Sequence, residues 1–200
     1  MTPHLALALA GTIRHDGNGG VADDLGDVAS LAAWLRTRAP LLRGYVGAVE
    51  SLVGSADEAT RAEVVAVRRA VRTLFAVAVR PGPPSRADSS SLLPPEEAVE
   101  RLNRAAGALP VHPVLRWPDG AAPSLSWVGE PADARVRLTA GLARAAVEFL
   151  TGPARDQLRA CPAPRCVRYF VKDHPRQEWC KPSCGNRARV ARHYQRHTAR

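Results

Sequence analysis

The chain has 200 residues, 46% of them hydrophobic and 24% charged, with a formal net charge of +9 at pH 7. This length fits one ordinary domain with a small appendage, which argues against a multidomain enzyme, and the near-average composition argues against wholesale disorder. No segment reaches the roughly 18 apolar residues of a membrane span, and the Leu5–Ala10 run is too short for a usual secretory signal. We therefore expect a cytoplasmic protein whose thiols stay reduced.

The positive charge is concentrated at the carboxyl end of the chain. Residues 161–200 hold ten Lys and Arg against Asp173 and Glu178, whereas residues 1–160 are nearly neutral. A basic module attached to a neutral body is typical of proteins that bind a polyanion. All four cysteines lie in the same basic segment.

The body of the chain is predicted to be mostly helical. The Leu5–Ala10 segment fits either a helix or a strand, and the glycine-rich residues 15–20 that follow predict a loop. Apolar residues at helical spacing and helix-starting residues then predict four helices. These helices cover residues 27–38, 40–53, a long segment that begins at 57, and 94–107.

Three arginines of the long helix, Arg68, Arg69 and Arg72, lie mainly opposite its apolar residues. They predict a solvated helix face, with a role in binding a ligand or a partner as the alternative. Residues 81–91 have no apolar period, and their Pro, Gly and Ser content predicts a mobile loop between two helices.

The rest of the body predicts one β-hairpin and one further helix. Residues 111–128 read as two short strands around Pro118-Asp119-Gly120, and residues 131–152 have the pattern of an amphipathic helix. His15, Asp16 and His112 are scattered along the chain, and neither a catalytic set nor a cofactor fingerprint is apparent. We therefore do not expect an enzyme.

The four cysteines form two close pairs. Cys161 and Cys166 are spaced C-x4-C, Cys180 and Cys184 are spaced C-x3-C, and thirteen residues separate the pairs. Each spacing suits a turn that brings two thiolates to one tetrahedral Zn²⁺, and four cysteines complete the shell of a structural metal. The alternatives are two disulfides, four unrelated thiols, or a site with three cysteines and one histidine, drawn from His174, His193 and His197.

A short strand and a helix are predicted around the metal. Alternation over residues 167–171 indicates a strand that forms half of a small hairpin. Such a small module buries little apolar area, so metal binding should contribute much of its folding free energy. The segment after Arg187 has no Gly or Pro and predicts a helix to Arg200.

The predicted carboxyl-terminal helix has a basic face and a more apolar face. Val190, Ala191 and Tyr194 share one face with Arg187. The opposite face could enter a major groove or follow phosphates. It carries Arg189, Arg192, His193, Arg196 and Arg200. We expect four residues of this face to contact double-stranded DNA, namely Arg189, Arg192, His193 and Arg196. Arg187 and Lys181 are weaker candidates for phosphate contacts. The alternative is an RNA-binding or protein-docking adaptor.

The segment from Cys161 to Tyr194 resembles the CGNR-type zinc finger of bacterial proteins, named for the tetrapeptide Cys184-Gly185-Asn186-Arg187. The amino-terminal part resembles the ABATE domain that commonly precedes this finger. Its matching residues are Leu5-Ala6-Leu7 through Thr12, Asp24-Leu25, Leu31 and Trp34-Leu35. The resemblance implies a stress-induced, DNA-binding transcription regulator whose first domain has a candidate sensing role.

Taken together, these features predict a mainly α fold with a small β-hairpin, divided into two parts. Residues 1–152 form a helical, ABATE-like domain, and residues 153–200 form a zinc-finger module of hairpin or knuckle plus helix. A single small module binds DNA with modest affinity, so a homodimer formed through the helical body is a further expectation. We also expect a small-molecule effector to bind in that body. When the protein is bound to DNA, we expect it to be associated with the nucleoid.

Overall fold

A computed structural model describes residues 4–18, 20–88, 91–130 and 132–198. Its helices are α1 (Leu5–Ala10), α2 (Val28–Val46), α3 (Glu50–Gly54), α4 (Glu58–Ala78), α5 (Pro95–Gly107), α6 (Ala134–Thr151) and α7 (Pro182–Thr198). Its strands form three antiparallel pairs, β1 (Ile13–His15) with β2 (Val21–Asp23), β3 (Val111–Arg116) with β4 (Ser124–Gly129), and β5 (Leu158–Ala160) with β6 (Tyr169–Val171). The fold is thus mainly helical with small hairpins, as predicted.

Side-chain caps begin helices α2 and α4. The Asp27 carboxylate accepts a hydrogen bond from the Ser30 backbone N–H at 2.7 Å, and Asp57 accepts one from Thr60 at 2.7 Å. Each cap satisfies a backbone donor that has no partner inside the helix. These contacts explain why α2 and α4 start one residue after an aspartate.

The prediction of a helix boundary at Pro40 is wrong. Helix α2 continues through Pro40 to Val46 and ends at Gly47, whose φ of 71° lies in the left-handed region. A proline removes one backbone hydrogen bond from a helix. Here Leu35 and Leu42, on either side of Pro40, are fully buried, and their packing holds the helix together.

The core of the body lies around α4 and α6. Helices α4, α5 and α6 pack on one another, while α1 and α2 lie against α6. The fully buried Phe75 ring lies 5.1 Å from the Phe149 ring and 5.5 Å from the Tyr169 ring, measured between centroids. Because Tyr169 belongs to β6, the cysteine-containing hairpin is part of the same core as the helical body.

Of two loop predictions, the glycine-rich loop is present as the connection between two short strands, and the loop after α4 is corrected by the structure. Residues on both sides of the glycine-rich stretch form the β1–β2 hairpin. The sequence did not predict this hairpin, because each of its strands has only three residues. The segment after α4 contains a short helical turn, Arg86–Asp88, and its Ser85 and Asp88 are buried. The polar composition of this segment predicts that it is exposed to solvent. Instead, its Ser85 and Asp88 side chains form hydrogen bonds with buried partners.

The prediction of a solvated arginine face on α4 is also wrong for two of its three members. Arg68 is 5% exposed and Arg72 is 4% exposed, whereas Arg69 lies on the surface. Arg68 donates to the Asp23 carboxylate at 2.7 Å, and Arg72 donates to Asp88 at 2.7 Å. A buried arginine is tolerated when a carboxylate and further acceptors surround it.

A search of the described residues for membrane spans finds no helix that combines the necessary length with the necessary apolar character.

Candidate zinc centre and basic helix

The four cysteines converge on one point between the β5–β6 hairpin and α7. Their sulfur atoms all lie within 4.8 Å of one another. Cys180 Sγ lies 3.7 Å from Cys166 Sγ and 3.5 Å from Cys184 Sγ. Four Zn–S bonds of about 2.3 Å in a tetrahedron place the sulfurs ~3.8 Å apart, so the cluster has the dimensions of a zinc site with four cysteine ligands.

Local backbone structure places each pair of thiols. The Cys161 N–H donates to the Arg168 carbonyl at 2.9 Å, which extends the β5–β6 hairpin towards the cluster. Arg165 has a φ of 61°, and the Cys166 N–H donates to the Ala163 carbonyl at 3.0 Å. This tight turn presents the first two sulfurs on one side.

The second pair lies at the start of α7. Pro182 begins the helix, a position where the missing proline N–H has no cost, and the Cys184 N–H donates to the Lys181 carbonyl at 3.0 Å. Cys184 therefore lies in the first turn of α7. A metal bound by Cys184 would therefore fix the orientation of α7.

The geometry decides among the alternatives for the cysteines. All four are free, and their separations exceed the S–S bond length of about 2.05 Å. Within the described side chains, the metal-binding group consists of the four cysteines without His174 or His193, and the side chain of His197 lies outside that part. The residues are positioned to bind one zinc ion, as predicted.

Two N–H donors lie against sulfur atoms of the cluster. Arg187 Nη2 lies 3.2 Å from Cys184 Sγ, and the Cys180 N–H points at Cys161 Sγ across 3.5 Å. Hydrogen bonds from the Cys161 and Cys180 thiols lower the pKa of Cys166. Hydrogen bonding with Cys166 raises the pKa of Cys161 to about 11, and hydrogen bonding with Cys161 and Cys166, together with burial, raises the pKa of Cys180. A divalent cation binds all four as thiolates.

Gly185 lets a tryptophan cover the cysteine cluster. A Cβ at this position would lie 2.9 Å from Trp179 Cδ1 and 3.3 Å from Trp179 Nε1. Trp179 packs against the small cluster formed by Ala163, Phe170 and the cysteines. The close approach of α7 to Trp179 therefore requires glycine at residue 185.

Replacing Gly185 by alanine is expected to destabilise the zinc module by about 1–3 kcal/mol, because the indole must move out of its packed position. Competition with a chromophoric chelator should show weaker zinc retention in this variant. Gly44→Ala is the matched control, since Gly44 lies inside α2 and a Cβ there meets no atom within 4 Å. That control should be neutral or slightly stabilising. Equal zinc retention in the two variants would contradict the role assigned to Gly185.

The predicted DNA-contacting residues are exposed on α7 and its approach. A surface groove is lined by Arg189, Arg192, His193 and Arg196 together with Val190 and Gln195. Lys181 is also exposed, whereas Arg187 is half-buried beside the metal site. Arg200 lies outside the described residues. The structure thus brings the basic side chains to one accessible surface, which we call the basic groove.

The apolar side of α7 is not packed. Val190 is 54% exposed and Tyr194 is 67% exposed, although the sequence pattern grouped them with the half-buried Arg187. Among the described residues of α7, Cys184, Gly185 and Ala188 are buried and Ala191 is partly buried. Beyond that residue the helix extends into solvent with both faces accessible.

A buried polar network that the sequence did not indicate joins the zinc hairpin to the body. Arg72 donates to Asp88 at 2.7 Å, to the Ala10 carbonyl at 2.6 Å and to the Val167 carbonyl at 3.3 Å. The Tyr169 hydroxyl donates to the other Asp88 oxygen at 2.7 Å. Burial and the Asp88 charge raise the pKa of Tyr169, so its hydroxyl remains a donor. No local pattern in the sequence reveals these contacts, because they join residues far apart in the chain.

Comparison with protein families agrees with this architecture. Residues 3–153 match the ABATE family, described as "Putative stress-induced transcription regulator", and residues 157–197 match the CGNR zinc finger. No curated protein matches the chain. The ABATE match covers more than half of the 200 residues, and the second match contains the whole cysteine cluster. The chain therefore belongs to the ABATE family and carries a CGNR zinc finger after the family's helical domain.

Proposed function

We propose that this protein is a sequence-specific, DNA-binding transcription regulator and not an enzyme. The observation that carries the proposal is the basic groove on a helix whose start is fixed by a metal centre. Helix α7 contains no Asp or Glu, and its basic residues beyond Ala188 are exposed. An α-helix fits the major groove of B-DNA, where arginine binds guanine through two hydrogen bonds.

The zinc module and the buried network together supply the rigidity that such a helix needs. Cys184 ties the first turn of α7 to the metal site, and Tyr169 ties the β5–β6 hairpin to Asp88 in the body. Phosphate contacts fix the orientation of a protein on DNA, and base contacts then select the sequence. We assign Lys181 to phosphate contact, and Arg187 to support of the Cys184 thiolate with a phosphate contact as its second role. Base contacts are assigned to the arginines of the basic groove.

The test compares binding of a labelled DNA duplex by the zinc-loaded protein and by Arg192→Ala and Arg196→Ala. Each substitution should weaken binding about tenfold and leave the zinc content unchanged, because these side chains lie in the basic groove and away from the cysteines. The matched control is Arg36→Ala, which removes an exposed arginine from α2 in the body.

Three results would contradict the assignment. One is loss of zinc from either groove variant, and another is an equal loss of affinity in Arg36→Ala. The third is tight binding to structured RNA with weak binding to duplex DNA, which would support the adaptor interpretation instead. Binding measured at several salt concentrations separates general phosphate attraction from specific contacts, since each lost phosphate contact lowers the salt slope by about one.

We further propose that the regulator acts as a homodimer in the cytoplasm and on the nucleoid, and that its body responds to an effector. A single module with one recognition helix gives modest affinity, and a dimer doubles the number of contacts. Sedimentation at micromolar concentration tests the dimer. A monomer that still selects a palindromic site would contradict it.

A further inference from the structure

A cavity of about 400 Å³ lies between the end of α2, the β3–β4 hairpin and α6. Its volume is within the range of small-molecule binding sites. Four arginines line it, with Glu130 as the carboxylate among the lining residues. The four are Arg43, Arg116, Arg137 and Arg144. We call this space the arginine cavity.

Among the described residues, the two arginines contributed by α6 donate hydrogen bonds to neutral acceptors. Half-buried Arg144 donates to the carbonyls of Leu109 and Tyr45, each at 3.2 Å. Half-buried Arg137 donates to the Ser51 hydroxyl at 2.8 Å. The Nε atoms of both side chains are buried and have no hydrogen-bond partner among the described residues. Because these Nε atoms are closed off from the cavity, an anion there would have to bind through the Nη atoms of the two guanidinium groups.

The other two arginines leave the cavity positively charged. Arg116 donates to the Ser126 hydroxyl at 2.8 Å, which is again a neutral acceptor. Arg43 pairs with Glu50 at 3.2 Å, but both side chains are more than 60% exposed. Exposed pairs of this kind are strongly screened by solvent. The walls therefore carry more cationic than anionic groups.

The buried arginines elsewhere in the body show a different arrangement. Arg68 and Arg72 each pair with an aspartate of the same chain, at 2.7 Å. Arg144, in contrast, forms no ion pair with a carboxylate of the described residues; burial lowers its pKa, and the nearby charge of Glu148 acts in the opposite direction. The protein thus pairs the two buried arginines of α4 with its own carboxylates, while the half-buried arginines of α6 line a cavity.

The remaining walls of the arginine cavity are aromatic and apolar. Half-buried Tyr45 and Trp127 line it, and the Tyr45 hydroxyl is held by Glu148 at 2.6 Å. Apolar side chains complete these walls, namely Val46, Leu109, Val111 and Val128. A flat ring packs favourably against such surfaces, and guanidinium groups bind carboxylate or phosphate oxygens.

We propose that the arginine cavity binds a small organic anion, with its carboxylate or phosphate on Arg137 and Arg144 and its flat apolar part beside Trp127 and Tyr45. This inference deepens the effector part of the proposed function by naming its site and its chemical class. The ligand bridges α6 and the β3–β4 hairpin, since both contribute to the cavity walls.

Calorimetric titration of the full-length, zinc-loaded protein tests the proposal with two anionic probes and one uncharged probe. Benzoate carries a carboxylate, phenyl phosphate carries a phosphate, and benzyl alcohol has a similar ring without charge. We expect saturable binding of at least one anionic probe in the millimolar range or tighter, and at least tenfold weaker binding of benzyl alcohol. The two anionic probes distinguish carboxylate from phosphate ligands.

Arg137→Met and Arg144→Met should each weaken the anionic probe at least tenfold, because each removes charge-assisted hydrogen bonds. Arg137→Met disrupts a single hydrogen bond to Ser51, so it keeps the test valid if loss of the two Arg144 contacts unfolds the body. Thermal melting verifies the fold of each variant. The matched control is Arg36→Met, an exposed arginine of α2 that does not line the cavity.

The proposal is overturned if neither anionic probe binds, if benzyl alcohol binds as tightly, or if folded Arg137→Met binds like the unaltered protein. DNA binding is measured separately on the basic groove. A protein that binds DNA but none of the probes would overturn this inference alone. A protein that binds a probe but no DNA would overturn the proposed function alone.

Discussion

Substituting Cys184 by serine is expected to abolish stable zinc binding and to release α7 from the β5–β6 hairpin. The apolar cluster that packs around the cysteines contains little beyond Ala163, Phe170 and Trp179. Metal binding contributes about 10–16 kcal/mol to the folding of comparable small zinc modules, which is far more than such a small core can supply. The variant should therefore lose both its zinc and its recognition helix.

The helix itself gives a second, independent signal of this loss. Helix α7 has 17 residues and extends into solvent beyond Ala191, so little tertiary packing supports it once Cys184 is released from the metal. Isolated polar helices of this length are marginally stable in water. Circular dichroism should show reduced helix content, and elemental analysis after dialysis should show no zinc.

The matched control is Ser183→Ala, which changes an exposed residue in the same helical turn. It should retain one zinc per chain and the full helix content. A Cys184→Ser protein that keeps both properties would show that the four cysteines do not act as one structural metal site.

Substituting Asp88 by alanine is expected to lower the free energy of unfolding by about 3–5 kcal/mol, the usual effect of leaving one partner of a buried ion pair alone. Asp88 is 3% exposed and accepts hydrogen bonds from both Arg72 and the Tyr169 hydroxyl. Its loss leaves a buried cation and a buried hydroxyl without their acceptor. Chemical denaturation at neutral pH measures the change.

Two further variants separate the buried pair from ordinary charge effects. Glu100→Ala removes an exposed i,i+4 pair with Arg104 and should change the unfolding free energy by less than about 1 kcal/mol. Combining Arg72→Met with Asp88→Leu should be less destabilising than Asp88→Ala, because no unpaired charge remains buried. If Asp88→Ala were as mild as Glu100→Ala, the buried network would not hold the hairpin to the body.

Much of this fold is readable from local sequence patterns. The spacing of the cysteine pairs predicts the metal site, because a metal site needs only short turns that present two thiols each. Asp27 and Asp57 mark helix starts through contacts with residues three positions away. The apolar period likewise predicts α4, α5 and α6, since burial on one side of a helix repeats every turn.

Features that depend on distant partners were not readable in this way. The basic residues Arg68 and Arg72 resemble a solvated face, and only the folded chain shows that Asp23 and Asp88 lie against them. In the same way, the sequence pattern predicts that the helix ends before Pro40. In the structure, the packing of Leu35 and Leu42 stabilises α2 beyond this proline. The arginine cavity is a further example, because α2, the β3–β4 hairpin and α6 supply its walls.

The exposure of Val190 and Tyr194 shows the limit of pattern analysis at a chain end. Apolar residues at helical spacing predict a buried stripe, but burial requires another element beside the helix. Among the described residues, none buries Val190 or Tyr194. The basic groove and this open apolar stripe therefore occupy the same extended segment.

Selection from a randomised pool of DNA duplexes, followed by sequencing, is the most direct test of the basic groove as a recognition surface. The zinc-loaded protein is used at physiological salt beside a chelator-treated sample. We expect the zinc-loaded protein to enrich a defined site and the chelated protein to lose that enrichment, because the metal fixes the first turn of α7. Binding that falls steeply with salt and enriches no sequence would contradict sequence-specific regulation and would show a general contact with polyanions.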